Sequence, residues 1–303
     1  MNNVYCTVVS RLRLYQAVAL FWSTKQFRRD FHMFILCADD DTFKLLKSLD
    51  WDCIYPVCLK ELNDPAISTL TDTRELDEFC WTLKPIFIEY LLTKYKDFTS
   101  VTYIDADMYF WNDPGDIFDK HDYSILLSRG DLYQPGLSEK QVKTLQSLMG
   151  DYNSGLLAFK NNSTGKACVK WWREQCLGNC VNIPKNGQFG DQKYLDFFKE
   201  RFSDVGEIKT PGVNIGHWNN QKYNFHIKDG RIFINGHPLI CYHFSGYRIF
   251  GSNRIMQVHE KKRIGRPFFY SIYNKILLSA IELIKQTHPR FDGFEREQKT
   301  EES

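Results

Sequence analysis

Two aspartates one residue apart, Asp105-Ala106-Asp107, follow a short β-rich run, Val101-Thr102-Tyr103-Ile104. Carboxylates at that spacing on a strand end can both reach one divalent cation. Hard oxygen ligands suit Mg²⁺ or Mn²⁺, which keep positions open for substrate phosphates. Taken alone, so short a triplet fits a polar loop or a helix cap better than a metal site. Gly190-Asp191-Gln192 sets a carboxylate beside an amide, and alone it also reads as a helix start capped by Asp191. His243, between Tyr242 and Phe244, alone fits a packed core histidine. Cys176 and Cys180 have loose spacing and no histidine nearby, so structural thiols fit better than a zinc site. Trp171-Trp172 reads as core.

The elements that must position these residues alternate along the first half. Apolar runs predict strands over 4–10, 34–38 and 101–104, and helical periodicity predicts helices over 14–24 and 82–95, with Pro85 in the first turn of the latter. Such alternation argues for an α/β fold with a mostly parallel sheet covered by helices, in which ligands gather at the carboxyl ends of strands. Ser10, Asp39 and Asp105 all fall at those ends. Residues 152–155 read as a turn before a short strand over 156–159. Asn235-Gly236 between apolar runs at 231–234 and 238–243 is a hairpin signal. One mixed sheet with an added hairpin is expected, without a second independent domain.

The chain has 303 residues, 39 Lys+Arg against 37 Asp+Glu, and 43% apolar residues. That length and balance exclude a disordered chain. No apolar run approaches the ~18–20 residues of a membrane-spanning helix. The run near Met1 is too short and poorly flanked for a signal peptide. Nine cysteines, an odd number, with Cys6, Cys37 and Cys241 inside apolar runs, favour a reduced, cytoplasmic protein.

Two enzyme classes place D-x-D at a strand end. Haloacid-dehalogenase-type phosphatases follow the second Asp with small residues, whereas Met108-Tyr109 follow it here. Taken in order, CTVVS (6–10), FILCAD (34–39), WTLKP (81–85), YIDAD (103–107), YNSGLLAF (152–159), GDQKYL (190–195), PGVNIGHWN (211–219) and HFSG (243–246) resemble the GT-A-fold nucleotide-sugar glycosyltransferases, with family 8 nearest. The resemblance implies a metal-dependent transferase, expected to move a hexose from a nucleotide-diphosphate donor, UDP-sugar favoured, to an acceptor hydroxyl, with retention. Asp105, Asp107 and His243 match its ligands for Mn²⁺ or Mg²⁺. Asp191 and Gln192 match its pair at the donor sugar and anomeric carbon. Val8, Ser10, Arg13, Asp39, Lys84, Ala106, Asn153, Gly246 and Arg248 complete the implied donor site, and Trp218 is a candidate sugar platform. The G-x-G-T-R-type loop of sugar nucleotidylyltransferases is absent.

Two departures bear on the nucleotide. Ser10-Arg11-Leu12-Arg13 stands where the family has Asn and an aromatic residue that packs on uracil; arginine can stack on a base and reach phosphate. Ile249 stands where the family has a Lys, leaving Arg248 or Arg254 to substitute. The alternative reading is a non-catalytic GT-A domain that binds a nucleotide sugar or glycan.

Three stretches are expected: a catalytic body over 1–253, a basic amphipathic segment over 254–290 with a surplus of six positive charges, and an acidic, frayed tail over 291–303. Phe269, Ile272, Tyr273, Ile276, Leu277, Ala280, Ile281 and Ile284 form one helical apolar stripe. It fits either the protein's own core or peripheral contact with the inner membrane face through 261–285, which would suit a glycolipid acceptor in envelope or surface glycan synthesis. Basic and aromatic residues do not interleave as nucleic-acid binding requires.

Overall fold

A computed structural model describes residues 3–28, 31–118, 122–184, 187–251, 255–257 and 266–296. Its strands are β1 (Asn3–Val9), β2 (Met33–Cys37), β3 (Ile54–Cys58), β4 (Ser100–Ile104), β5 (Met108–Phe110), β6 (Ile125–Arg129), β7 (Tyr152–Lys160), β8 (Val205–Glu207), β9 (Ile215–Gly216), β10 (Phe225–Lys228), β11 (Arg231–Ile234), β12 (His237–Pro238), β13 (Cys241–His243), β14 (Tyr247–Ile249) and β15 (Ile255–Gln257). Its helices are α1 (Leu14–Phe27), α2 (Asp40–Ser48), α3 (Ala66–Thr73), α4 (Leu76–Lys94), α5 (Gly115–Phe118), α6 (Glu139–Met149), α7 (Ser163–Gly178), α8 (Phe198–Arg201) and α9 (Tyr270–Thr287).

Seven strands form the main sheet in the order β3-β2-β1-β4-β7-β6-β8. β1 pairs in parallel with β2 and β4, while β7 runs antiparallel to β4 and β6, so the sheet is mixed and mostly parallel. The β-rich sequence of β1 suits a strand covered on both faces. Its alternation divides two cores: Tyr5 and Val9 face the layer of α1 and α9, and Val4, Cys6 and Val8 face that of α4 and α7. The succession β1-β2-β3 leads one way and β4 the other, so a switch point opens at the carboxyl ends of β1 and β4.

Four sequence expectations change in detail. α4 starts at Leu76, set by a capping box between Glu75 and Glu78, so Pro85 lies in the helix interior rather than its first turn. Residues 152–155 belong to β7, where the register with β6 shifts beside Leu127 and Ser128; the turn-like composition makes a bulge inside a strand. Asn235 and Gly236 both have positive φ, 46° and 86°, as a two-residue hairpin turn requires. That hairpin, however, builds a separate sheet, β10-β11-β12, and β13 leaves it to pair with β5 and β9.

The fourth change concerns the carboxyl-terminal region. α9 buries Tyr270, Tyr273, Leu277, Ala280, Ile281 and Ile284, and Tyr273 stacks on Phe244 with ring centroids 3.7 Å apart. Apart from exposed Ile272 and half-buried Ile276, the stripe therefore covers the protein's own core, and the described residues of 261–285 do not support peripheral membrane contact. Lys261, Lys262 and Arg263 lie outside the described residues. No described helix is long and apolar enough to cross a membrane. Phe291 is buried and Phe294 packs on the same core, so the frayed end expected from 291 does not begin there. Residues 297–303 lie outside the described residues.

Candidate active site

Each carboxylate of the D-x-D pair is placed by a local rule. β4 ends at Ile104, the Asp105 backbone N–H donates to Gly155 O (2.8 Å), and Met108 N–H closes a turn onto Asp105 O (3.0 Å). β5 then pairs antiparallel with β13 in a register that sets His243 opposite Met108, and Phe244 N–H donates to Asp107 O (2.8 Å). That register brings His243 to the pair across a long sequence separation. His243 Nε2 lies 3.0 Å from Asp107 Oδ1 and 3.7 Å from Asp105 Oδ2.

Their ligand atoms lie within 4.8 Å of one another, and the set of two carboxylates and one imidazole suits a divalent cation. The wall beside it is shaped to match. A Cβ on Gly155 would stand 2.5 Å from His243 Cε1 and 2.9 Å from Asp105 Oδ2, so only glycine leaves this space open. Burial alone would raise the Asp107 carboxyl; His243, then Arg248 and Arg13, outweigh it and hold that group well below the usual carboxylate range.

Neighbouring side chains orient the three candidate ligands. His243 Nδ1 meets Asn214 Oδ1 at 3.3 Å, and Asn214 Nδ2 donates to Asn153 Oδ1 (3.0 Å) and Ser128 Oγ (2.8 Å). Trp218 sets its ring edge-on to His243, centroids 5.2 Å apart. Tyr103 Oη donates to Asp105 Oδ1 (2.9 Å). Lys84, 3% exposed on α4, places Nζ 3.0 Å from Asp105 Oδ1 and 3.2 Å from Asp191 Oδ2. Burial opposes its charge, but Asp105 and Asp191 outweigh burial and raise its pKa. For Asp191 burial prevails over Lys84, and its pKa is raised.

Gln192 is held at both ends of its amide. Oε1 accepts from Asn153 Nδ2 (3.0 Å) and Nε2 donates to Met149 O (2.9 Å). These groups surround a cavity of about 700 Å³ at the switch point, within the range of ligand sites. Val8, Ser10, Arg13, Lys84, Ala106 and Asn153 line it, as do Asp191, Gln192, Arg248 and the trio Asp105, Asp107 and His243.

Two expected donor residues stand elsewhere. Asp39 caps α2: Oδ1 accepts from Thr42 N–H (2.7 Å) and Oδ2 from Arg11 N–H (2.9 Å). It does not line the cavity, and neither does Gly246, whose positive φ of 74° explains the glycine. Arg11 pairs with Asp41 and Asp292, leaving Arg13 as the cavity-facing arginine of that turn. Arg254 lies outside the described residues. The sequence reading missed Asn214, Gly155 and Glu295. The first two lie inside motifs already singled out, whereas nothing local marks Glu295.

This fold and site define a glycosyltransferase of the GT-A type. Residues 30–209 match the family model of the nucleotide-diphospho-sugar transferases, and the chain belongs to that family. Among its relatives, YfnF of Bacillus subtilis (strain 168), an uncharacterized protein, is 46% identical over 296 residues, covering 97% of this chain and 98% of YfnF. Uncharacterized YfnD of the same strain is 30% identical, covering 96% of this chain and 94% of YfnD. In fold, the chain is similar to the galactosyltransferase LgtC in complex with donor and acceptor sugar analogues, at a TM-score of 0.57 and 12% identity, covering 92% of this chain and 96% of that one. An active-site mutant of LgtC superposes at 0.54 with 14% identity and the same coverage of both chains.

Proposed function

We propose that the protein transfers a sugar from a nucleoside-diphosphate donor, with the uridine form first among candidates, to a hydroxyl of a glycan acceptor. The observation that carries this reading is the convergence of Asp105, Asp107 and His243 at the switch-point cavity. A divalent cation there, Mn²⁺ by the donor set, would act as a Lewis acid toward charge growing on the leaving diphosphate. The chain's own groups divide the remaining work. Arg13 and Arg248 face the phosphate side, Lys84 fixes Asp105 and Asp191, and Asn153 with Met149 fixes the Gln192 amide beside the reacting centre.

We assign retention to the transfer. The anomeric C–O bond to phosphate breaks, a C–O bond to the acceptor forms on the same face, and the acceptor proton passes to the leaving phosphate oxygen. Two features support it: Gln192 is an amide, and the neighbouring Asp191 carboxylate is engaged by Lys84. With α9 on the core, no described feature favours a lipid-linked acceptor over a free glycan.

The test is a donor screen with and without Mn²⁺, scored by sugar transfer and by NMR of the product's anomeric configuration. Full metal-dependent transfer by Asp105→Ala would sink the metal assignment. An inverted product would overturn retention.

A further inference from the structure

Glu295 follows α9 at the far end of the described chain, yet its side chain lines the donor cavity. Its backbone is laid beside Phe250 as a parallel bridge: its N–H donates to Ile249 O (2.9 Å) and its carbonyl accepts from Gly251 N–H (3.2 Å). Phe291 is buried, and Phe294 lies 6.3 Å from Tyr15, ring to ring. A Cβ on Gly293 would come within 2.4 Å of Arg11 O, so this segment fits closely against the turn before α1. The segment is built into the fold.

From that anchor the carboxylate reaches two guanidinium groups. Oε1 lies 2.6 Å from Arg13 Nη2 and 3.6 Å from Arg248 Nε, and Arg248 Nη1 stands 3.7 Å from Asp107 Oδ2. Among the described lining residues, seven are Asp or Glu and four are Lys or Arg. A site read as taking a doubly charged diphosphate therefore has more acidic than basic lining residues, and two of its three guanidinium groups, those of Arg13 and Arg248, share the Glu295 carboxylate.

We propose that Glu295 is a positioning residue that makes diphosphate binding conditional on the divalent cation. By sharing its charge with Arg13 and Arg248 it leaves the divalent cation as the charge that must offset Asp105 and Asp107 before a diphosphate can bind. The inference rests on the function proposed above. Removing the carboxylate frees positive potential beside Asp107, which Arg248 approaches at 3.7 Å, and at such separations Coulomb terms are large.

The experiment measures UDP binding to the full chain by calorimetry, with saturating Mn²⁺ and with EDTA, for wild type, Glu295→Gln and Glu295→Asp. Wild type should bind about 100-fold more weakly in EDTA, and Glu295→Gln should cut that ratio about tenfold by binding UDP without metal. Glu295→Asp, which keeps the charge, should restore the dependence, an effect that loss of packing alone would not give. Melting curves establish folding, and Glu295→Ala carries the same test should the amide not fold. An unchanged ratio in Glu295→Gln, or UDP binding weakened equally in both conditions, overturns the inference and leaves the proposed function standing. Wild type that binds neither UDP nor, in the same titration, ADP, GDP or CDP with Mn²⁺ overturns both.

Discussion

Lys84 holds its ammonium 3.2 Å from the carboxylate of Asp191, the residue preceding Gln192, with both side chains almost fully buried. The same nitrogen lies 3.0 Å from Asp105. One buried cation thus joins the candidate metal-ligand pair to the pair proposed for the donor sugar, two groups that come from separate segments of the chain.

Removing that cation leaves buried carboxylates uncompensated. Lys84→Met should lower stability by about 3–5 kcal/mol, the cost of breaking a buried pair from one side. Urea unfolding measures it. A loss below 1 kcal/mol would mean that water or rearrangement replaces the lysine.

Gly155→Ala tests the shape of the cation seat. The added methyl falls against His243 and Asp105 in a strand, where alanine is conformationally allowed. The variant should fold, lose the Mn²⁺-dependent rise in melting temperature, and transfer sugar at least ~100-fold more slowly. Retained Mn²⁺ stabilisation would place the ion elsewhere.

Asn214 orients His243 from behind, and its φ of 53° favours glycine as the replacement that adds no strain. Asn214→Gly should weaken Mn²⁺ binding by about 10–100-fold, as loss of a partner to a metal-ligating histidine does. Metal titration by calorimetry is the direct measurement.

Glu207 offers a pH test away from the site. Burial raises its pKa, but the bonds from Lys199 and Tyr152, both 2.6 Å, and the Arg129 charge outweigh burial and lower it. A carboxyl depressed in the folded state contributes stability above its unfolded value of about 4.3, and loses it as pH falls through the folded value. Glu207→Gln should cost about 0.5–1 kcal/mol at neutral pH. The gap should close well below pH 4; an equal gap there would show that charge is not its cause.

Leu277 reports on α9. Fully buried in the layer shared with α1, its truncation to alanine should cost about 2–5 kcal/mol. Thermal or urea unfolding decides it, and a cost near zero would contradict the packing described.

Local rules made much of this protein readable in one dimension. The β-branched run of β1, the helical spacing in α4 and the D-x-D pair after β4 follow from periodicity and from where parallel strands end. The positive φ of Asn235 and Gly236 is likewise a property of two adjacent residues. His243, Asp191 and Gln192 came from resemblance, because spacing alone left each with a packing or capping alternative.

Tertiary structure decided which groups meet. The β5–β13 register brings His243 to Asp107, and a bulge in β7 brings Gly155 and Asn153 to Asp105. Asp39 was chemically able to face a ligand, but the start of α2 and the Arg11 backbone took its oxygens first. An apolar helical stripe states that something must cover it without stating what, and in α9 the answer is the protein's own core. Glu295 is the extreme case: a backbone bridge to Phe250, with Phe291 and Phe294 packed on the core, carries that carboxylate to Arg13 and Arg248, and no periodicity encodes a contact made across the whole chain.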